Sequence, residues 1–293
     1  MKALVLGGSG LVGSRFLELK SGVSELVSPS HQDFDLLDFE KYSEVIKQIN
    51  PEVIVNFAAF TNVDKAEEEK DDTEGVVYKL NVLVPKKLSV ISRELGIRFI
   101  HLSTDYVFDG MKSNSPYIEE DLTNPLSWYA KTKDLGEKEI CEVGVNYAIV
   151  RIEMPFSVKF DKKKDIARTF LGLLKEGNEI IAINDQKITP TFVDYGVEAI
   201  SLLFGQNTEG IFHIASTNHT SPYEFAKIIA REFNLSEDLI KPISFEKFSN
   251  TRPAKRPRDS WLCVEKFEKQ FGRNILKTIE ESIKEFKTNL HNS

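Results

Sequence analysis

Short apolar runs alternate with longer stretches of helical period through the first half of this 293-residue chain. Residues 3–6, 25–27, 53–56, 98–102 and 147–150 are apolar and short, and they read as buried strands. Between them apolar positions recur every three or four residues, as at Val45, Ile46 and Ile49 and again at Leu80, Leu83, Leu88, Ile91 and Leu95. Strand and helix in alternation predict an α/β fold, a doubly wound parallel sheet covered on both faces, with right-handed crossovers. The rhythm changes after about residue 155. A Lys-rich stretch at 162–164 precedes a helix near 166–174, a polar loop at 184–191, a helix over 193–204 and a strand at 211–214. From Ser221 the pattern gives a helix, a Pro/Arg-rich segment and a final amphipathic helix over about 276–287.

Composition narrows the class. The chain is 41% hydrophobic and 28% charged, enough for a sizeable core, and carries a formal net charge of −7. No apolar stretch approaches the roughly 20 residues that span a bilayer, and residues 1–6 read as a first strand rather than a signal peptide. The basic cluster from Arg252 to Arg258 is short and broken by Pro253 and Pro257, which disfavours nucleic acid as a partner. Cys141 and Cys263 have neither metal spacing nor disulfide context, so a cytoplasmic location is expected. Histidines 31, 101, 213, 219 and 291 form no ligand pair, and no metal is expected. The surface is compatible with a homodimer.

The candidate chemistry begins where the fourth apolar run ends, at Ser103, Thr104 and Asp105, and continues at Tyr129 and Lys133. A lysine one helical turn from a phenol shares its face, so Lys133 is expected to favour phenolate and bring Tyr129 down towards working pH. The Thr104 hydroxyl can hold the same substrate oxygen from the other side. Reduction of a carbonyl by a bound nicotinamide requires such a convergence. Tyr223 and Lys227 repeat the spacing, but beside Phe225, Ile228 and Ile229 on an amphipathic helix and without a hydroxyl-bearing strand before them. There Tyr223 reads as packing and Lys227 as solvated.

Gly7, Gly10 and Gly13 follow the first strand directly and open the first helix, the spacing of the short-chain dinucleotide fingerprint. Amides at that helix N-terminus would face a diphosphate. Residues 1–155 are therefore expected to form an NAD(P)-binding Rossmann half, to which the chain returns around 190–212. Residues 156–293 are expected to be mainly a smaller C-terminal α/β substrate-binding portion. The second strand ends in Ser28, Pro29, Ser30 and His31, with no carboxylate to repel a 2′-phosphate and no arginine to clamp one. The lean is towards NADPH, with NADH still admissible. Asp35 and Leu36 come next, where short-chain dehydrogenases contact adenine; the competing reading is a polar turn beside a core leucine.

Several blocks in order resemble the dTDP-4-dehydrorhamnose reductase family of extended short-chain dehydrogenases. They are the glycine turn, residues 56–67 (NFAAFTNVDKAE), residues 103–110 (STDYVFDG), Tyr129 to Lys133 with Gly136 and Glu137, residues 183–186 with Pro190 and Thr191, and Arg256 and Pro257 with Ser260 and Leu262. The resemblance implies a catalytic triad of Thr104, Tyr129 and Lys133. It implies a cofactor lining of Gly7, Gly10, Leu11, Val12, Asp35, Leu36, Ala58, Ala59, Tyr129 and Lys133. Thr61, Val63, Asp105, Tyr106, Phe108 and Arg256 would face a deoxythymidine-diphospho-sugar substrate, whose C4 ketone is reduced.

Some positions have structural competitors. Tyr106 and Phe108 alternate with Val107, so one face of that segment reads equally as core. Asp64, Lys65 and residues 67–69 read as a solvated helix start, Asn81 as a backbone clamp, and Arg256 as a diphosphate grip because guanidinium suits phosphate oxygens. Where bacterial members of the family carry Arg-Thr-Ser-Trp-Val-Tyr, this chain has RIEMPF at 151–156, with Met154 in place of the indole. A dehydratase is disfavoured because Tyr106 stands where such enzymes carry Glu. A sugar-nucleotide epimerase, or a non-catalytic NADP-binding subunit resembling the regulatory subunit of methionine adenosyltransferase, are the alternatives.

Overall fold

Strands dominated by Val, Ile, Leu and Ala have little face to give to water, and these apolar runs assemble side by side in one sheet. The structure, a computed structural model, describes residues 1–19, 23–160, 162–205 and 208–291. Strands β1 (Lys2–Leu6), β2 (Glu25–Val27), β3 (Val53–Asn56), β4 (Arg98–Thr104) and β5 (Tyr147–Ile152) pair in parallel. Two later strands, β6 (Ile180–Ile183) and β7 (Gly210–His213), diverge in fate: β7 returns to pair with β5, and β6 does not. The six-stranded order is β2-β1-β3-β4-β5-β7. The order reverses between β1 and β3, and in open α/β sheets the crevice at such a switch point receives the ligand.

Alternate strand residues feed two cores. Ala3, Val5, Val55, Ile100 and Val150 point to one face, with Val12 and Phe16 of α1 (Leu11–Leu19) packed among them. Leu4, Leu6, Ile54, Phe99 and Ile149 point to the other, against Tyr42 and Ile46 of α2 (Tyr42–Ile49). Two short turns of helix, α3 (Val63–Ala66) and α4 (Val76–Tyr78), lead through a π-turn at Lys79–Leu83 into α5 (Val84–Leu95). Helix α6 (Trp128–Val143) lies beside α5 on the second face. It starts at Trp128 because Ser127 accepts from the Ala130 amide and Glu67 accepts from the Trp128 amide at 2.6 Å.

The C-terminal portion is a second α/β layer. Helix α7 (Ile166–Lys175) precedes β6, and α8 (Val193–Leu202) packs on α1, tied by Arg15 to both carboxylate oxygens of Asp194 at 2.7 Å. Strand β8 (Ile240–Ile243) follows α9 (Pro222–Glu232) and pairs in parallel with β6. Phe156, Phe192, Phe225 and Phe286 centre this layer's core, Phe286 lying on the last helix. After α10 (Phe245–Ser249) the chain crosses back: α11 (Glu265–Phe271) and Leu262, Val264 and Leu276 pack into the first core before α12 (Ile279–His291) closes the second. The β6–β8 sheet is absent from the sequence reading. Each strand has four residues, Ile181 is exposed, and Lys241-Pro242 breaks the apolar run in β8.

Candidate active site

The cofactor crevice is built from backbone. Gly7 has φ +76°, and a Cβ there would lie 2.5 Å from the Ala58 amide; a Cβ on Gly13 would collide with the Gly7 carbonyl. The turn thus brings Gly10, Leu11 and Val12 at the start of α1 next to Ala58 and Ala59 after β3, with no side chain between. A glycine cradle at the first turn of a nine-residue helix, at the sheet's switch point, fits a dinucleotide diphosphate. Asn56 holds the β3 side by accepting from the Ala58 amide at 3.1 Å. Asp35 is exposed and accepts from the Leu37 amide at 2.9 Å, while the Leu36 carbonyl accepts from Tyr42 at 2.5 Å, so the pair forms a fixed polar turn.

Thr104 and Tyr129 converge as expected. Thr104 ends β4 and its Oγ1 accepts from the Tyr106 amide at 3.2 Å and donates to Asp105 Oδ1 at 3.0 Å. The Tyr129 hydroxyl is hydrogen-bonded to the same Thr104 side chain. Burial pushes the Tyr129 phenol up, the Thr104 bond opposes this, and the Asp105 charge adds to the rise. The expectation that Lys133 lowers this phenol is corrected. Lys133 is buried, but its Nζ lies 3.0 Å from His101 Nε2 and 2.7 Å from the Leu102 carbonyl, on β4 and away from Tyr129.

Behind Thr104 lies a carboxyl cluster that the sequence reading did not assemble. Ser260 Oγ is 2.6 Å from Asp105 Oδ2 and 3.1 Å from Glu153 Oε1, and Glu153 Oε2 accepts from both the amide and the hydroxyl of Thr189 at 2.6 Å. Asp105 and Glu153 are buried, and neither forms an ion pair among the described residues. A serine has one proton for two acid oxygens, so one carboxyl must supply the other. Burial drives both acids up, and the proximity of Asp105 raises Glu153 further; Ser260 and Thr189 hold the rise back. The pair carries a proton at neutral pH.

The remaining wall departs from expectation at three places. Phe108 is wholly buried, stacked on Tyr117 at 4.1 Å with the Arg151 guanidinium 5.0 Å from its ring, so it is core and not a substrate contact. Asp64 is no solvated helix start: it holds Arg256 through two bonds of 3.0 and 2.9 Å and accepts from the Ala254 amide. Arg256, also bonded to Tyr106, is thereby fixed across α3. Glu67 caps α6, and Glu69 accepts from the Val77 amide. Tyr106 is half-buried with its ring 6.1 Å from that of Tyr129, edge to face. Thr61 is exposed and Val63 half-buried beside Phe60, whose amide and carbonyl are both held by Asn81. Met154 is half-buried at φ +39°, a left-handed turn that a non-glycine residue seldom adopts, immediately after Glu153.

The arrangement offers a phenolic proton beside a hydroxyl at the end of β4, two strands along the sheet from the glycine turn after β1. The sequence profile described as RmlD substrate binding domain matches residues 1–292. This chain belongs to that family. A dTDP-4-dehydrorhamnose reductase of Burkholderia thailandensis is 32% identical over 289 residues, covering 93% of each chain. One from Escherichia coli K12 is 31% identical, covering 93% of this chain and 92% of its own. The crystal structure of a dTDP-4-dehydrorhamnose reductase from Clostridium acetobutylicum is 31% identical and superposes with a TM-score of 0.88 over 99% of this chain and 100% of that one. A Bacillus anthracis dTDP-4-dehydrorhamnose reductase solved in complex with NADP, 27% identical, gives the same TM-score over 98% and 99%. Among the described residues no helix is long and apolar enough to cross a membrane.

Proposed function

We propose that this protein is an NADPH-dependent oxidoreductase that reduces the C4 ketone of dTDP-4-dehydrorhamnose to give dTDP-rhamnose. The carrying observation is the protonated Tyr129 hydroxyl held against Thr104 on the sheet that carries the glycine cradle. Relatives bearing that name align over almost the whole chain and support the reading. NADPH, when bound, supplies the hydride. The chain does the rest: Gly7, Gly10, Leu11 and Val12 hold the diphosphate, and Ala58 and Ala59 line it. Asp35 and Leu36 edge the adenine end.

Tyr129 gives its proton to the oxygen of the reduced ketone, and Thr104 orients that oxygen. Lys133, released from β4, holds the nicotinamide ribose. Thr61, Val63, Asp105, Tyr106 and Arg256 bound the sugar-nucleotide side, with Arg256 held by Asp64 at the place where a phosphate would meet guanidinium. Free Cys141 and Cys263 suit the cytoplasm.

Loss of reduced-nicotinamide absorbance with dTDP-4-dehydrorhamnose tests this. Tyr129→Phe is expected to lose turnover by about 10²-fold or more while still binding NADPH, the usual worth of a positioned general acid. Tyr223→Phe is expected to keep it, because Tyr223 packs against the second core with Lys227 over its ring at 5.2 Å. NADPH binding with no consumption would overturn the reductase reading.

A further inference from the structure

The direction of hydrogen bonding from β3 through β4 to α6 settles which proton Lys133 can carry. Ala58 donates its amide proton to Asn56 Oδ1 at 3.1 Å, which fixes the amide group of Asn56 the other way, towards His101. Asn56 Nδ2 lies 3.1 Å from His101 Nδ1, and a side-chain amide nitrogen only donates. His101 Nδ1 must therefore accept. A neutral imidazole then carries its proton on Nε2, which points at Lys133 Nζ, 3.0 Å away. An ammonium has no lone pair to receive it, whereas an amine does and still donates to the Leu102 carbonyl at 2.7 Å. Reversing the chain to admit an ammonium would set Asn56 Nδ2 against the Ala58 amide and leave a donor stranded.

We propose that His101, oriented by Asn56, holds Lys133 as an uncharged amine in the cofactor-free protein, and that NADPH binding draws Lys133 off His101 and lets it take up a proton from solvent. The surroundings agree. Burial pushes Lys133 down to about 8 against a smaller pull from Glu137 on its own helix, and burial drives His101 well below its ordinary range. Glu137 cannot anchor the ammonium, because its two oxygens already take three bonds from Arg151 of β5 and one from Ser103 of β4. Asn56 on β3 is neutral, and Tyr129 one turn back has its hydroxyl on Thr104. Above about pH 8 the lysine is thus mostly discharged, and it is parked on β4 until a ligand offers it acceptors, such as ribose hydroxyls. His101 and Asn56 act as positioning residues.

The inference rests on NADPH being the cofactor, and titration calorimetry of NADPH binding in two buffers of different ionisation enthalpy at pH 8.5 tests both. Wild-type protein should take up roughly three-quarters of a proton per NADPH, the change for an amine moving from about 8 to the ordinary lysine value of about 10.4. Asn56→Asp should bind with uptake reduced at least threefold, because a carboxylate accepts from both Ala58 and His101 Nδ1 and so turns His101 Nε2 into an acceptor for a charged lysine. Lys133→Met should show none. Binding without uptake in wild type, or equal uptake in wild type and Asn56→Asp, would overturn the inference and leave the reductase reading intact. Absence of NADPH binding would overturn both.

Discussion

Two buried carboxyl clusters flank the end of β4 and differ in one respect. Glu137 faces Ser103 and the Arg151 guanidinium, whose NH2 is 2.7 Å from Oε2; Asp105 and Glu153 face Ser260 and no cation. All four ionisable groups are at least 96% buried by side chain or residue. In the first cluster burial alone would lower Arg151, yet Glu137 outweighs it and the guanidinium is held charged. In the second the same burial, unanswered by a cation, drives the acids to keep a proton. Equal desolvation therefore yields a fixed ion pair on one side and a proton store on the other, the latter one hydroxyl removed from Tyr129.

Breaking the ion pair should have the largest effect. Arg151→Met strands Glu137 in the core and should cost about 3–5 kcal/mol of stability, read from the shift in urea midpoint. A loss under 1 kcal/mol would mean that Glu137 is protonated as readily as its counterpart. Ser260→Ala removes the hydroxyl between the two acids and should cost about 1–3 kcal/mol, checked in the same denaturation series.

Glu153→Gln sharpens the comparison most finely, shifting stability at pH 7 by less than about 1 kcal/mol because the replaced group was already largely uncharged. Its signature is in pH dependence. The folded pKa values of both acids lie above their unfolded ones, Asp105 at about 7, so the folded state binds the extra proton. Wild-type stability contributed by the pair is full below about pH 4 and is lost as pH rises through about 7. Glu153→Gln should flatten that fall, since Asp105 loses its acidic neighbour; parallel slopes in the two proteins would contradict a shared proton.

The sheet was legible because its strands are uniform apolar runs, and the positions of Thr104 and Tyr129 because a strand end and a helix start are local features. The pairing of Tyr129 and Lys133 on one helix face was also legible, but not where a four-carbon stem would turn. His101 and the Leu102 carbonyl of β4 take Lys133, with Asn56 of β3 behind His101, and no spacing along the chain records that. Glu153 and Ser260 are 107 residues apart, and Asp105 and Ser260 are 155 apart, so the carboxyl cluster exists only through the return of the C-terminal segment. Asp64 and Glu67 sit in an acidic run of the kind that is normally solvated. Here the backbone fold presents them with an arginine and a bare helix end. The alternation of Tyr106, Val107 and Phe108 leaves Phe108 equally a core or a substrate residue; its stacking on Tyr117 with Arg151 over its ring, which no local pattern records, makes it core.

The late crossing of residues 253–276 has a consequence for the order of events during synthesis. Strands β1 to β5 and their helices emerge from the ribosome long before Ser260 does, and domains tend to fold as they emerge. A nascent chain can therefore assemble its sheet while Asp105 and Glu153 meet without the hydroxyl that mediates between them, and with Asp64 still lacking Arg256. Translation has to pass Arg256 and Ser260 before these contacts can form. Truncated chains would keep the cradle and lose the acid cluster.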